Sequence, residues 1–212
     1  MSNIKLVHSG GNSVSLTTPT SNPSSNIIFK LPQADGSAGQ VLQTDGNGNL
    51  TFVNPGGITE ADLFRLTVDA SLPNGSEYDI ATNWERPDTA NDAFGKLGTG
   101  MSFSGAIWTF PSTGIYKVGF NAMVYANGTT GLTELRIKAT ENNSTYVNQS
   151  TAHNTVSNGH FGSAYVQALI DVTNTSNVKV KFAAGAGAAN QLLGSNSAQS
   201  LTYVTFTRLG DT

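Results

Sequence analysis

The groups best suited to chemistry in these 212 residues are few: three histidines, 14 acidic side chains and no cysteine. Without cysteine there is no disulfide framework, no thiolate metal site and no thiol nucleophile. Glu85, Asp88 and Asp92 form the one acidic cluster, in a polar stretch where loop carboxylates could supply oxygen ligands to calcium; the competing reading is a set of solvated loop acids. Asp45-Gly46-Asn47-Gly48-Asn49 begins like a calcium loop, but Leu50 stands where an EF-hand needs glycine and Gly56 where it needs a bidentate glutamate, so a turn is expected. His8, His153 and His160 do not have a metal-ligand spacing and read as loop or surface histidines. Gly185-Ala186-Gly187-Ala188-Ala189-Asn190 starts like a dinucleotide fingerprint, lacks its third glycine and any βαβ setting, and reads as a flexible loop. Gly100-Met101-Ser102-Phe103-Ser104-Gly105 is not a nucleophile elbow, and nothing places a histidine and an acid beside either serine. The expectation is a chain that is not an enzyme and uses no cofactor.

Two heavier side chains remain. Trp108 reads as a core anchor, whereas Trp84, set among polar residues, is the expected ligand-contact residue.

The elements that must carry these residues follow from composition. Charged residues make up 12% of the chain, while glycine, serine, threonine and asparagine abound, as on all-β surfaces kept in water by neutral polar groups. The balance of 11 basic against 14 acidic residues, with no basic cluster, argues against nucleic-acid binding. No apolar run approaches a bilayer span and no long apolar stretch opens the chain, so neither membrane insertion nor a secretory signal is expected, and exit from a cell would be by lysis.

Residues 1–57 carry only Lys5, Lys30, Asp35 and Asp45 as charges and Phe29 and Phe52 as aromatics, too little apolar mass for a core. Yet Val14-Ser15-Leu16, Ile27-Ile28-Phe29-Lys30-Leu31 and Leu50-Thr51-Phe52 alternate with the period of half-buried strands, and an apolar face without a core needs a partner chain. Val41–Thr44 and Leu50–Val53, joined by the Asp45–Asn49 turn, read as a hairpin. Asn54-Pro55-Gly56-Gly57 reads as the linker and domain boundary, after which Thr59-Glu60-Ala61-Asp62 is expected to cap a short helical turn.

From Leu63 onward the composition changes to repeated apolar and aromatic segments. Strands are expected at Leu63–Val68, Met101–Phe110, Gly114–Tyr125, Thr133–Thr140, Gly159–Val172, Val178–Ala184 and Ser200–Leu209, and strands without helices between them make an antiparallel sandwich. Leu201, Tyr203, Thr205 and Thr207 alternate with Thr202, Val204 and Phe206, so both faces of the last strand are partly apolar. Such a strand buries one face in the sandwich and the other against another subunit. Phe103, Tyr116, Phe120, Tyr165, Tyr203 and Phe206 are the expected core or subunit-interface residues.

The run Phe103-Ser104-Gly105-Ala106-Ile107-Trp108-Thr109-Phe110-Pro111-Ser112-Thr113-Gly114-Ile115-Tyr116-Lys117-Val118 resembles the core signature of C1q/TNF-like jelly rolls, in which an aromatic-Pro-x-x-Gly-x-Tyr turn joins two strands. Gly162–Val172 and Ser200–Thr207 are similar to the last long strands of that family, and the resemblance spans about residues 63–210. It implies a homotrimeric jelly-roll head with ligand-binding apical loops. The N-terminal run from Lys30 to Gly46 resembles segments of bacteriophage tail-fibre and virion-decoration proteins, where the implied role is attachment or a trimeric β-shaft.

The expected function is therefore that of a virion structural protein, assembled in the host cytoplasm: a short homotrimeric fibre. Residues 1–57 would bind capsid, tail or collar proteins, and the head, residues 58–212, would meet a host-surface glycan or protein. The alternatives are a capsid decoration, head-fibre or cement protein without a receptor, and a secreted C1q-like recognition protein.

Overall fold

The computed structural model describes residues 4–16, 19–87, 95–189 and 191–212. The chain divides into two compact units, Met1–Gly56 and Gly57–Thr212.

In the first unit, β1 (Ile4–Val7) pairs with β2 (Ser13–Leu16), and β3 (Val41–Thr44) pairs with β4 (Leu50–Val53), each as an antiparallel hairpin. The β3–β4 turn is built as its composition demands: the Asp45 carboxylate accepts the Asn47 and Asn49 amides at 2.8 and 3.1 Å, while Gly46 and Gly48 take φ of 81° and 86°. The side-chain amide of Asn49 donates to the same carboxylate, and these bonds hold the Asp45 pKa below its usual value. The strand expected over Ile27–Leu31 is reduced to one bridge, in which the Lys30 amide donates to Gly48 and its carbonyl accepts from Leu50. Period-2 alternation was misleading there because no neighbouring strand receives the run. No described residue between 4 and 56 is buried.

The second unit contains β5 (Ala61–Leu66), β6 (Ala70–Leu72), β7 (Glu77–Asp79), β8 (Trp84–Glu85), β9 (Lys96–Leu97), β10 (Ser102–Ser104), β11 (Ile107–Thr109), β12 (Gly114–Ala126) and β13 (Gly131–Thr140). It continues through β14 (Val147–Val156), β15 (Phe161–Val172), β16 (Lys179–Ala186), β17 (Gln191–Leu193) and β18 (Tyr203–Gly210). No helix occurs among the described residues, so the helical turn expected at Thr59–Asp62 is corrected: Ala61 and Asp62 open β5 and pair with β18 and β9. Residues with good capping chemistry are drawn into the sheet by the strand partners on both sides.

Two antiparallel sheets face each other. The smaller runs β10-β11-β16-β13-β14, with β7 sharing an edge of β16; the larger runs β15-β12-β18-β5, with β17 and β6 extending beyond the far end of β12 and with β8 and β9 on β5. The expected single strand Met101–Phe110 is two short strands, because Gly105 at φ 57° turns the chain back. Gly185 and Ala186, expected in a flexible loop, close β16, where small residues pair readily with β13 and β7.

The core is aromatic and centred on Trp108, which is fully buried. Phe103 stacks on it at 4.5 Å, and Phe64, Phe206, Phe182 and Trp84 meet it at 4.8, 5.4, 5.7 and 5.8 Å. Contacts of this kind add about 0.5–1.5 kcal/mol each beyond the area they bury. The Phe110–Tyr116 turn belongs to the same core: the rings lie 4.7 Å apart and the Tyr116 hydroxyl bonds Ser112 at 2.9 Å. Gly114 between them has φ 136°, and a β-carbon there would stand 2.5 Å from the Gly210 carbonyl, so only glycine fits.

Candidate functional site

The outer face of the large sheet is the surface that a core does not explain. Strand alternation sends the even-numbered residues of β15, Ala164, Val166, Ile170 and Val172, into the core, and the odd-numbered ones outward. Outward stand Phe161, Tyr165 and Leu169, with 67%, 49% and 66% of their surface in water. Register places Phe161 opposite Tyr125, Tyr165 opposite Asn121 and Leu169 opposite Lys117 on β12. Asn121 in turn faces Tyr203 on β18, and Tyr203 faces Arg65 on β5. The Tyr125 and Phe161 rings lie 4.8 Å apart.

Tyr165 lies down on the sheet, because a β-carbon at Gly119 would stand 2.9 Å from its hydroxyl and 2.6 Å from Thr205 Oγ1. The result is a broad, mostly neutral surface on β15, β12, β18 and β5, with β15 the last strand of the sheet on that side. Large exposed apolar patches of this kind are uncommon on monomeric proteins.

The outer face of the small sheet has the opposite character. Arg136 pairs with both Glu77 and Glu134, Lys138 with Glu77 and Asp79, and Lys181 with Asp79 at 2.9 Å. Lys181 also sits 4.6 Å over the Tyr146 ring. These side chains cross above Ala183 and Gly185, whose smallness makes room for the bridges. Partial burial pushes the Glu77 carboxyl up, but hydrogen bonds from Lys138 and Arg136 outweigh it and hold the group below its usual range. The Glu134 carboxylate raises the Arg136 pKa, and burial together with the Asp79 charge raises that of Tyr146. Three cations against three carboxylates make a neutral lattice, suited to a solvated wall.

The residues expected to act divide clearly. Trp84, expected at a ligand-contact loop, is instead 8% exposed in β8; its indole N–H donates to the Ile80 carbonyl at 3.2 Å and its ring packs on Trp108. Its polar sequence neighbours hid a strand of two residues. Glu85 accepts from Arg65 at 2.6 Å. Asp88 and Asp92 lie outside the described residues. Among the described residues no group of three potential ligands is placed to hold a metal. His8 closes its own turn by accepting the Gly10 amide, His153 stands 3.9 Å from Glu134, and His160 lies in the turn before β15.

Tyr116, Phe120 and Phe206 are core residues, Phe103 is half-buried against Trp108, Tyr203 is half-buried and Tyr165 exposed on the outer face. Phe161, Leu169 and Tyr125 belong to that face as well. The signal for β15 was available: apolar residues at both odd and even positions, the same double pattern as in β18.

No family model matches the chain, and no curated protein matches it. Solved structures do. The crystal structure of murine APRIL at pH 5.0 aligns with a TM-score of 0.50 at 14% identity, over 71% of this chain and 98% of that one. The fold is a TNF/C1q-like jelly roll. The PRD1 vertex protein aligns with a TM-score of 0.46 at 17% identity over 73% and 100% of the two chains. The globular domain of zebrafish complement 1qA gives 0.42 at 16% over 71% and 94%. At these identities the jelly roll is a likeness of fold.

Proposed function

We propose that the chain is a non-catalytic virion structural protein, a short fibre of three copies whose jelly-roll heads close on one another through the outer face of the large sheet. The observation that carries this reading is the double absence of burial. Phe161, Tyr165 and Leu169 stand in water on the head, and Ile4, Leu6, Leu16, Ile27, Ile28, Phe29 and Leu31 are 62–76% exposed in the first unit. Two-stranded hairpins are marginal alone, so residues 1–56 gain their stability by covering these side chains on other chains. The likeness of Lys30–Gly46 to phage fibre and decoration segments supports virion proteins of the capsid, tail or collar as those partners. The head then projects, and several copies would add avidity for a host-surface glycan or protein.

Mass spectrometry of purified parent particles, followed by cryo-EM, tests this reading. A protein present in fixed copy number, with residues 1–56 against the particle and the head outward, supports it; a protein absent from purified particles contradicts it.

A further inference from the structure

The outer face of the large sheet carries two exposed charges that have no ion-pair partner among the described residues, Lys117 on β12 and Asp171 on β15. The Arg65–Glu85 pair lies on the β5 side of this face, on the far side of β18 from Lys117 and Asp171. Register puts Lys117 opposite Leu169 and Asp171 opposite Ile115, so the two charges are diagonal neighbours among apolar side chains. Neither is within 4.0 Å of an opposite charge among the described residues.

Covering this face would take both groups out of water, and an unpaired buried charge is strongly destabilising. In a ring of three copies each interface joins different residues of adjacent heads, and near the axis a strip that carries both signs can set lysine of one copy against acid of the next. This strip carries both. We propose that Lys117 of one copy pairs with Asp171 of the next, giving three symmetric ion pairs that fix the rotational register of the heads. The inference rests on the proposed trimer and names the contact that sets its geometry.

The test uses the full chain with a zero-length carbodiimide, which joins an amine to a carboxylate only at ion-pair distance. Native mass spectrometry is run on the same samples. The expected result is a ladder of covalent dimers and trimers on a denaturing gel, with a Lys117–Asp171 cross-linked peptide joining ¹⁵N-labelled and unlabelled copies after co-refolding. Lys117→Met and Asp171→Asn, each still trimeric, lose that peptide. Lys117→Glu and Asp171→Lys each raise the trimer dissociation constant at least tenfold, and the double exchange restores it. A trimeric wild type that yields the peptide only within one copy, or not at all, overturns the ion pair and leaves the trimer standing. A monomeric wild type overturns the trimer itself.

Discussion

Arg86 donates Nε and Nη2 to the two oxygens of Asp62, both at 2.8 Å, at a place where the carboxylate is 2% exposed. Asp62 also accepts the Met101 amide at 2.7 Å, and the Arg86 guanidinium lies 4.4 Å over the Phe64 ring. The pair ties β5 to the segments on either side of residues 88–94. Arg86→Met leaves a buried carboxylate short of two bonds, and losses of about 3–5 kcal/mol follow from breaking such pairs. Urea unfolding of the head should register that loss; a change under 1 kcal/mol would mean that the remaining donors suffice.

Trp84 and Trp108 give a second expectation. Alanine at Trp108 removes the ring on which five others converge and should cost about 3–5 kcal/mol, while alanine at Trp84 should cost somewhat less. Both effects are read as lowered melting temperature. A Trp84→Ala variant with unchanged melting temperature and lost adsorption to cells would return Trp84 to the ligand-contact role.

Gly114→Ala forces a side chain into a φ of 136° and against the Gly210 carbonyl. A cost of roughly 1–3 kcal/mol is expected from the strain alone, measured by chemical denaturation. Gly57→Ala, with open space around it, is the control and should change little.

The lattice on the small sheet predicts an acid-sensitive head. The Glu77 pKa is lowered in the folded state, so its contribution is fully present above the ordinary value of 4.5 and is lost as pH falls through the lower folded value. Stability against urea should therefore drop below about pH 4.5, and Glu77→Gln should flatten that drop. An unchanged slope in the variant would assign the acid response to other carboxylates.

Much of this architecture was legible in the sequence, and its limits have physical causes. The Phe110–Tyr116 turn and the long strands β12, β13, β15 and β18 announce themselves through alternation that a two-sheet core requires. β14 does not: Val147-Asn148-Gln149-Ser150-Thr151-Ala152-His153-Asn154-Thr155-Val156 is polar nearly throughout, because it is an edge strand with little to bury. Short strands such as β8 and β9 were invisible because their places are set by partners far away in sequence. The outer-face residues were half seen. Tyr165 and Tyr203 stood out as aromatics, whereas Phe161 and Leu169 take their meaning from register, which only the fold supplies.

The head surface itself is probed by Phe161→Ser with Leu169→Ser. These side chains are exposed in the single copy, so the monomer should keep its melting behaviour in denaturant while the assembly weakens by tenfold or more. Loss of folded structure in the double variant would instead make the stripe a support for the fold.

Light scattering of the purified full chain at micromolar concentration tests the trimer most directly. A particle of three times the 22.1 kDa chain mass, falling to one chain when Tyr165 and Leu169 are replaced by aspartate, is the expected outcome. A wild-type protein that stays at 22.1 kDa across that range would contradict it.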